Sequence, residues 1–408
     1  LKRTSRDIRV ANRFRVLRQV IAGHMTSRRA IAAATDLSLA TVAHLIGELI
    51  EAGVVVEAGF EDSGGGRPRG LLSANAHGGL LVGVDVAETY VHAELYTSAL
   101  TVLAEAEEQL HPEENSPPQV VRHIVSCVRA VIESSKVDYD RVLGIGVSLP
   151  GQVEREGGVS VFAPNWNWHD EPLGAMLAAE LDLPLYLDNP LKATTVAELW
   201  FGAGQGHEDV VVVTLGTGVG AGLAMGGSLY RGATNSAGEW GHTTLVLDGR
   251  LCHCGRRGCV ETYVGAPGIM QNLRELAPTS PLLHPDDQTA TIDALAAALA
   301  AGDPVAAKVV TETARYLGVA IADLINLVNP EVLVVSGWVA TKLGEAFLPE
   351  VQAVVARHAL SGPLEVVDIV LCPLVRNPVS LGAATFALEG FLATVGARTH
   401  SRTAVNSS

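Results

Sequence analysis

No stretch of the 408-residue chain stays apolar for long enough to cross a bilayer; its hydrophobic runs are short and interrupted. The opening residues, LKRTSRDIRVANRF, carry no apolar core of a secretory signal. Cysteine is scarce. Three of the five residues crowd together, which argues against a disulfide framework and fits a reducing compartment. Positive charge is scarce as well: 29 Lys and Arg stand against 44 Asp and Glu, for a net charge of −15. The basic character that exists is concentrated at the start. Residues 1–30 hold nine Lys or Arg and one Asp, a surplus of +8 that leaves −23 on the remainder. An acidic body repels nucleic acid, whereas a basic N-terminus attracts phosphate. The expectation is a cytoplasmic protein without a membrane partner.

With 48% hydrophobic and 18% charged residues the chain can bury a sizeable core, and its length calls for two or three domains. The first spans residues 1–75. Val10, Phe14, Leu17 and Ile21 recur at helical spacing, Thr26 or Ser27 can cap a short second helix, and Ser38 can cap a third reaching about Ala52. The third helix turns Val42, Leu45, Ile46 and Leu49 inward and leaves Ser38, Thr41 and His44 exposed near its start. Two short strand-like runs then bracket Asp62-Ser63-Gly64-Gly65-Gly66-Arg67-Pro68-Arg69. Helix, short helix, turn, helix and basic wing make a winged helix-turn-helix. Arg67 and Arg69 would reach a minor groove from the wing, and Arg28 joins Ser38, Thr41 and His44 as a candidate DNA contact. The predicted partner is operator DNA, and a palindromic operator calls for a homodimer or homotetramer.

The densest chemistry lies between Gly238 and Glu261, GEWGHTTLVLDGRLCHCGRRGCVE. His242, Cys252, Cys254 and Cys259 stand in an H-x9-C-x-C-x4-C pattern. One imidazole and three thiolates complete a zinc tetrahedron with no open position, so one structural zinc per chain is expected. Glu239 and Glu261 flank the loop, and ionised acceptors of that kind make the stronger hydrogen bonds.

This stretch closely resembles the ROK family, named for repressors, open reading frames and kinases. The family pattern G-E-x-G-H followed by C-x-C-G-x-x-G-C-x-E is matched at every fixed position. The resemblance covers roughly residues 79–393 and implies a two-lobed RNase H-like domain of the actin and hexokinase kind. Residues 79–190 with 380–393 would form one α/β lobe and 191–379 the second, with the zinc loop, before a disordered tail at 394–408. By resemblance Glu239 and Glu261 accept hydrogen bonds from sugar hydroxyls, His242 touches both zinc and sugar, and Asn165 and Asn189 are further hydroxyl partners. The N-terminal segment resembles the winged helix-turn-helix of ROK repressors of the N-acetylglucosamine and xylose type.

Sugar kinases of the family need three elements that this chain has altered. Their D-x-G-G-T phosphate turn reads Asp85-Val86-Ala87-Glu88-Thr89, with both glycines lost and a carboxylate added. The nucleotide-side glycine cluster reads Ser336-Gly337-Trp338, and the N-D-A-N segment that supplies the general base reads Asn189-Pro190-Leu191-Lys192. Proline cannot accept a proton. A second glycine turn, Leu215 to Gly220, is intact. The expected activity is therefore a sugar-responsive regulator of transcription, in all expectation a repressor, and not an enzyme. The alternative is a ROK sugar kinase with a fused DNA-binding domain, using Asp188 as base. A third reading is a regulator that answers to a protein partner.

Overall fold

In the computed structural model the described residues are 5–61, 69–111, 113–374 and 376–405. The chain divides into two units, Leu1–Trp200 with Asn377–Ser408, and Phe201–Arg376.

The first unit opens with helices Ser5–Ala22, Arg28–Thr35 and Leu39–Glu51, followed by the antiparallel strands Val55–Glu61 and Arg69–Ala74. The last two helices turn through 116° across three residues. Val42, Leu45, Ile46 and Leu49 are all buried, as their spacing predicts. The first helix is rotated from its expected face. Val16, Leu17, Val20 and Ile21 are buried, whereas Val10 and Phe14 are half-exposed. The reason is Arg13, which is 6% exposed and turns inward to bind Glu48. Residues 62–68, the expected wing tip with Arg67, lie outside the described residues.

Five strands then form a sheet in the order Leu185–Asp188, Val142–Ser148, Leu80–Val86, Tyr90–Thr97, Val102–Gln109. The first three are parallel and the last two return antiparallel as a meander. Alternate residues of each strand face opposite sides. Val82, Val84, Ile145 and Val147 pack with helix Pro117–Ser134 in one core. Gly83 and Gly146 face the helix Pro378–Val405. A Cβ on Gly146 would stand 1.7 Å from the Ala383 carbonyl oxygen, so only glycine admits the helix this closely.

The second unit repeats the plan. Its sheet runs Ser228–Leu229, Val219–Met225, Val210–Leu215, Val332–Ser336, Asp368–Leu371, again a meander beside parallel strands. Helices Ala266–Leu276, Pro304–Val328 and Trp338–His358 enclose its core. Both units thus carry the doubled pattern of an RNase H-like pair.

Two boundaries differ from expectation. Helix Pro190–Phe201 belongs almost wholly to the first unit, because Ala193 packs against Gly382 of the C-terminal helix; the division falls at Phe201 and not at 191. The tail expected to be disordered from residue 394 continues the helix to Val405, since no proline interrupts it. Among the described residues no single helix is long and apolar enough to cross a membrane.

Candidate functional site

The loop after strand Val219–Met225 is pinned to the second sheet by close backbone approaches. Gly241 leaves no room for a Cβ, which would lie 1.9 Å from the Val219 carbonyl oxygen. The 3-10 turn Trp240–His242 presents His242 from one side. From the other, the tight hairpin from Leu251 to Arg257 brings in Cys252 and Cys254, and the bridge between Thr244 and Cys259 brings in the third cysteine. His242 Nδ1 lies 3.6 Å from Cys252 Sγ, and Cys254 Sγ lies 3.7 Å from Cys259 Sγ. The ligand atoms of all four residues lie within 4.8 Å of one another.

These distances match a metal site. A zinc tetrahedron with bonds of about 2.3 Å to sulfur and about 2.1 Å to nitrogen has edges of about 3.8 Å and about 3.6 Å. Burial pushes the Cys252 thiol well up, and the neighbouring Glu261 adds to it; Cys259 is raised by burial too. A bound cation reverses that balance and holds thiols deprotonated. The four residues could hold a metal ion.

Glu261 opens the short helix Glu261–Val264 directly after Cys259. Its Oε2 accepts a 3.0 Å hydrogen bond from the Val219 backbone N–H, and its Oε1 lies 3.5 Å from Cys252 Sγ. It therefore joins the cysteine loop to the intact glycine turn. Glu239 is half-buried and its carbonyl accepts from the His242 N–H.

The glycine turn itself is occupied. Trp338 begins the helix Trp338–His358, and its Nε1 lies 3.2 Å from where a Cβ on Gly216 would stand. Gln288 Nε2 donates to Thr217 Oγ1 at 2.8 Å, and Gly216 N–H to the Gly218 carbonyl at 3.0 Å.

In the first unit, Asp188 ends a strand and Pro190 starts the next helix, a position where no N–H is required. Asn189 is 2% exposed, and its Oδ1 accepts from the Lys192 N–H at 3.1 Å, capping that helix. Asp188 is 1% exposed, 3.7 Å from Arg155 Nε and 4.0 Å from Lys192 Nζ. Asn165, in the turn Pro164–Trp166, donates to Glu88 Oε1 at 3.1 Å. The carboxylate that breaks the family's phosphate turn is thus bonded to one of the expected sugar partners. Asp85, which precedes that turn, is buried and accepts from Tyr90 Oη and Asn377 Nδ2, each at 2.9 Å; burial holds its carboxyl above the usual range.

In the N-terminal segment, Ser38 caps the third helix by accepting from the Thr41 N–H at 3.1 Å. His44 is exposed and lies 2.9 Å from Arg9. Arg28 forms an ion pair with Glu57 at 2.9 Å. Arg69 opens its strand opposite Glu61. Sequence reasoning missed Arg13, whose guanidinium joins Glu48 of the third helix to the Leu392 carbonyl of the C-terminal helix. An arginine in an amphipathic basic helix carries no signal that distinguishes a buried partner from solvent.

The model of the ROK family matches residues 81–389, about three quarters of the chain. The chain belongs to the ROK family. Within that family it is similar to the xylose repressor of Caldicellulosiruptor bescii, 29% identical, over 93% of this chain and 96% of that one. The glucokinase of Streptomyces coelicolor is 32% identical, but over 76% of this chain and 98% of its own. A crystal structure of a ROK family transcriptional regulator, described as a homolog of the E. coli MLC protein, superposes with a TM-score of 0.76. It is 26% identical and covers 95% of this chain and 98% of its own.

Proposed function

We propose that this ROK protein is a sugar-responsive transcriptional repressor without kinase activity. One observation carries the reading: the similarity to a xylose repressor runs through the N-terminal segment, whereas the similarity to a glucokinase covers three quarters of the chain. In this reading the trihelical segment is the winged helix-turn-helix head. The 116° turn between its last two helices suits that motif. His44 and Thr41 read the major groove, and Arg28, Arg67 and Arg69 contact the backbone or minor groove.

His242, Cys252, Cys254 and Cys259 hold a zinc ion whose role is to stiffen the loop. Glu239 and Glu261 are acceptors for sugar hydroxyls, and Asn165 and Asn189 are further hydroxyl partners. Because Asn189 Oδ1 caps a helix, its amide nitrogen is the atom offered to a sugar. Pro190 stands where a kinase needs its base, and Trp338 packs on the turn that would cradle phosphate. A sugar favours the DNA-competent or the incompetent state only by its differential affinity for the two. The Arg13 bond to the C-terminal helix gives the body a fixed hold on the head. An oligomer provides the two reading heads.

The glucokinase similarity supports a second reading, a kinase with Asp188 as base. One experiment separates them. Genomic fragments captured by the purified protein are titrated with it by fluorescence anisotropy against a panel of sugars, with ATP consumption followed in parallel. Sugar-altered DNA binding without ATP use is expected; sugar-dependent ATP consumption overturns the proposal.

A further inference from the structure

The outer edge of the first sheet carries a second constellation of ligand atoms. On the paired strands Tyr90–Thr97 and Val102–Gln109, His92 lies opposite Glu107 and Glu94 opposite Glu105, all on one face. Carboxylates in direct cross-strand register repel one another, and Glu94 is only 3% exposed, so the cluster favours positive charge, and Glu94 and Glu107 raise the basicity of His92 between them.

The side chains are arranged around a gap. Glu94 Oε2 is held by the hydroxyls of Tyr96 and Ser380, which turns Oε1 toward His92. On the other side of the ring, Nδ1 lies 3.2 Å from Glu107 Oε2, whose second oxygen accepts from Gln109. A carboxylate on Nδ1 fixes the tautomer that presents a lone pair at Nε2 and raises the basicity of that nitrogen. Among the described residues Nε2 has no hydrogen-bond partner, although the atom is buried. Its distance to Glu94 Oε1 is 3.9 Å, too long for a hydrogen bond. An ion bonded to both at about 2.1 Å can reach across that span, at an angle wider than tetrahedral that a small side-chain shift closes. Glu105 brings a third ligand, and one ligand atom from each of His92, Glu94 and Glu105 lies within 4.8 Å of the other two.

We propose that His92 Nε2 and one carboxylate oxygen each of Glu94 and Glu105 form a second divalent-metal site, oriented by Glu107. One imidazole and two carboxylates, without thiolate, select a manganese- or zinc-class ion and leave positions for water. The donor set differs in kind from the cysteine loop. The ion would neutralise the acidic edge and join the strand pair, through Glu94 and Ser380, to the start of the C-terminal helix.

The test uses the full-length protein with its cysteine loop loaded. Mn2+ is titrated and the free ion followed by electron paramagnetic resonance, with Zn2+ titrated separately by calorimetry. Thiolates bind Mn2+ poorly, so the first titration reports the new site. About one saturable ion per chain is expected. Glu105→Gln, an exposed substitution that leaves the fold intact, and His92→Gln should each weaken it at least tenfold. The His92 ring resonances should shift on metal addition at Nε2. The proposal is overturned if neither ion binds beyond the cysteine loop, or if both variants bind as the wild type does. It is also overturned if His92 titrates as an imidazolium between Glu94 and Glu107 with no response to metal.

Discussion

Arg13 donates a 2.8 Å hydrogen bond to the carbonyl oxygen of Leu392, across 379 positions of sequence. The same guanidinium binds Glu48 through Nε at 2.9 Å and through Nη2 at 2.7 Å. Glu48 lies on the helix that carries His44, one turn further on, and also binds Arg9. One buried cation therefore holds the first helix, the third helix and the C-terminal helix Pro378–Val405 together.

Replacing Arg13 by Met keeps its bulk but leaves the Glu48 carboxylate and the Leu392 carbonyl without that donor. Loss of charged, largely buried hydrogen bonds should cost about 2–3 kcal/mol, read as an earlier transition in urea denaturation. The sugar effect on DNA affinity should shrink in the same variant. Unchanged stability and an unchanged sugar effect would remove Arg13 from the coupling path.

The purified protein should contain about one tightly held zinc in the cysteine loop, measured by elemental analysis. Cys254→Ser should lose that metal and, with it, sugar binding, because the backbone carrying Glu239 and Glu261 goes slack. Glu261→Ala should abolish the sugar response and leave unliganded DNA binding intact. Metal-free protein with normal sugar affinity would break the link between loop and ligand.

ATP should show no affinity in the physiological range, and Pro190→Asp alone should gain no kinase activity. A missing base costs about 10²–10⁴-fold in rate, but restoring it cannot help while Trp338 covers Gly216. Trp338→Gly should therefore be required before nucleotide binding is seen by calorimetry. Measurable turnover in Pro190→Asp would show that the indole is no obstacle.

In the head, alanine at Arg67 and Arg69 should weaken operator binding by about 1–3 kcal/mol and alter preference at flanking A·T-rich positions. His44→Ala should change preference inside the half-site. Ser38→Ala should do less to specificity and more to stability, about 1 kcal/mol, because its hydroxyl caps the third helix. Equal affinity of the Arg67 and Arg69 variants at fixed salt would mean that the wing does not touch DNA.

What was legible in the sequence is what short-range spacing encodes. The inward face of the third helix follows from period 3.6, and the meeting of His242 with three cysteines from a run of eighteen residues. The doubled meander could be read from strand alternation and turn residues. Contacts between distant segments could not. Nothing local says that Arg13 turns inward to Leu392, that Ala193 packs on Gly382, or that the residue after Asp188 gives its side chain to a helix cap. Trp338 showed a large side chain in place of glycine, but only the fold shows which turn it covers. His92-x-Glu94 and Glu105-x-Glu107 read as ordinary half-exposed strand; their grouping depends on register, which the loop between them does not reveal.

The Gly146 face of the first sheet has a temporal consequence. Its cover, Pro378–Val405, leaves the ribosome after every strand and helix of the second unit. During synthesis the second unit can close while the first still exposes a bare glycine-lined sheet and an Arg13 without its Leu392 acceptor. The trihelical segment emerges before the second unit and is fastened after it, so a nascent chain has its third helix in place before Arg13 meets its acceptor.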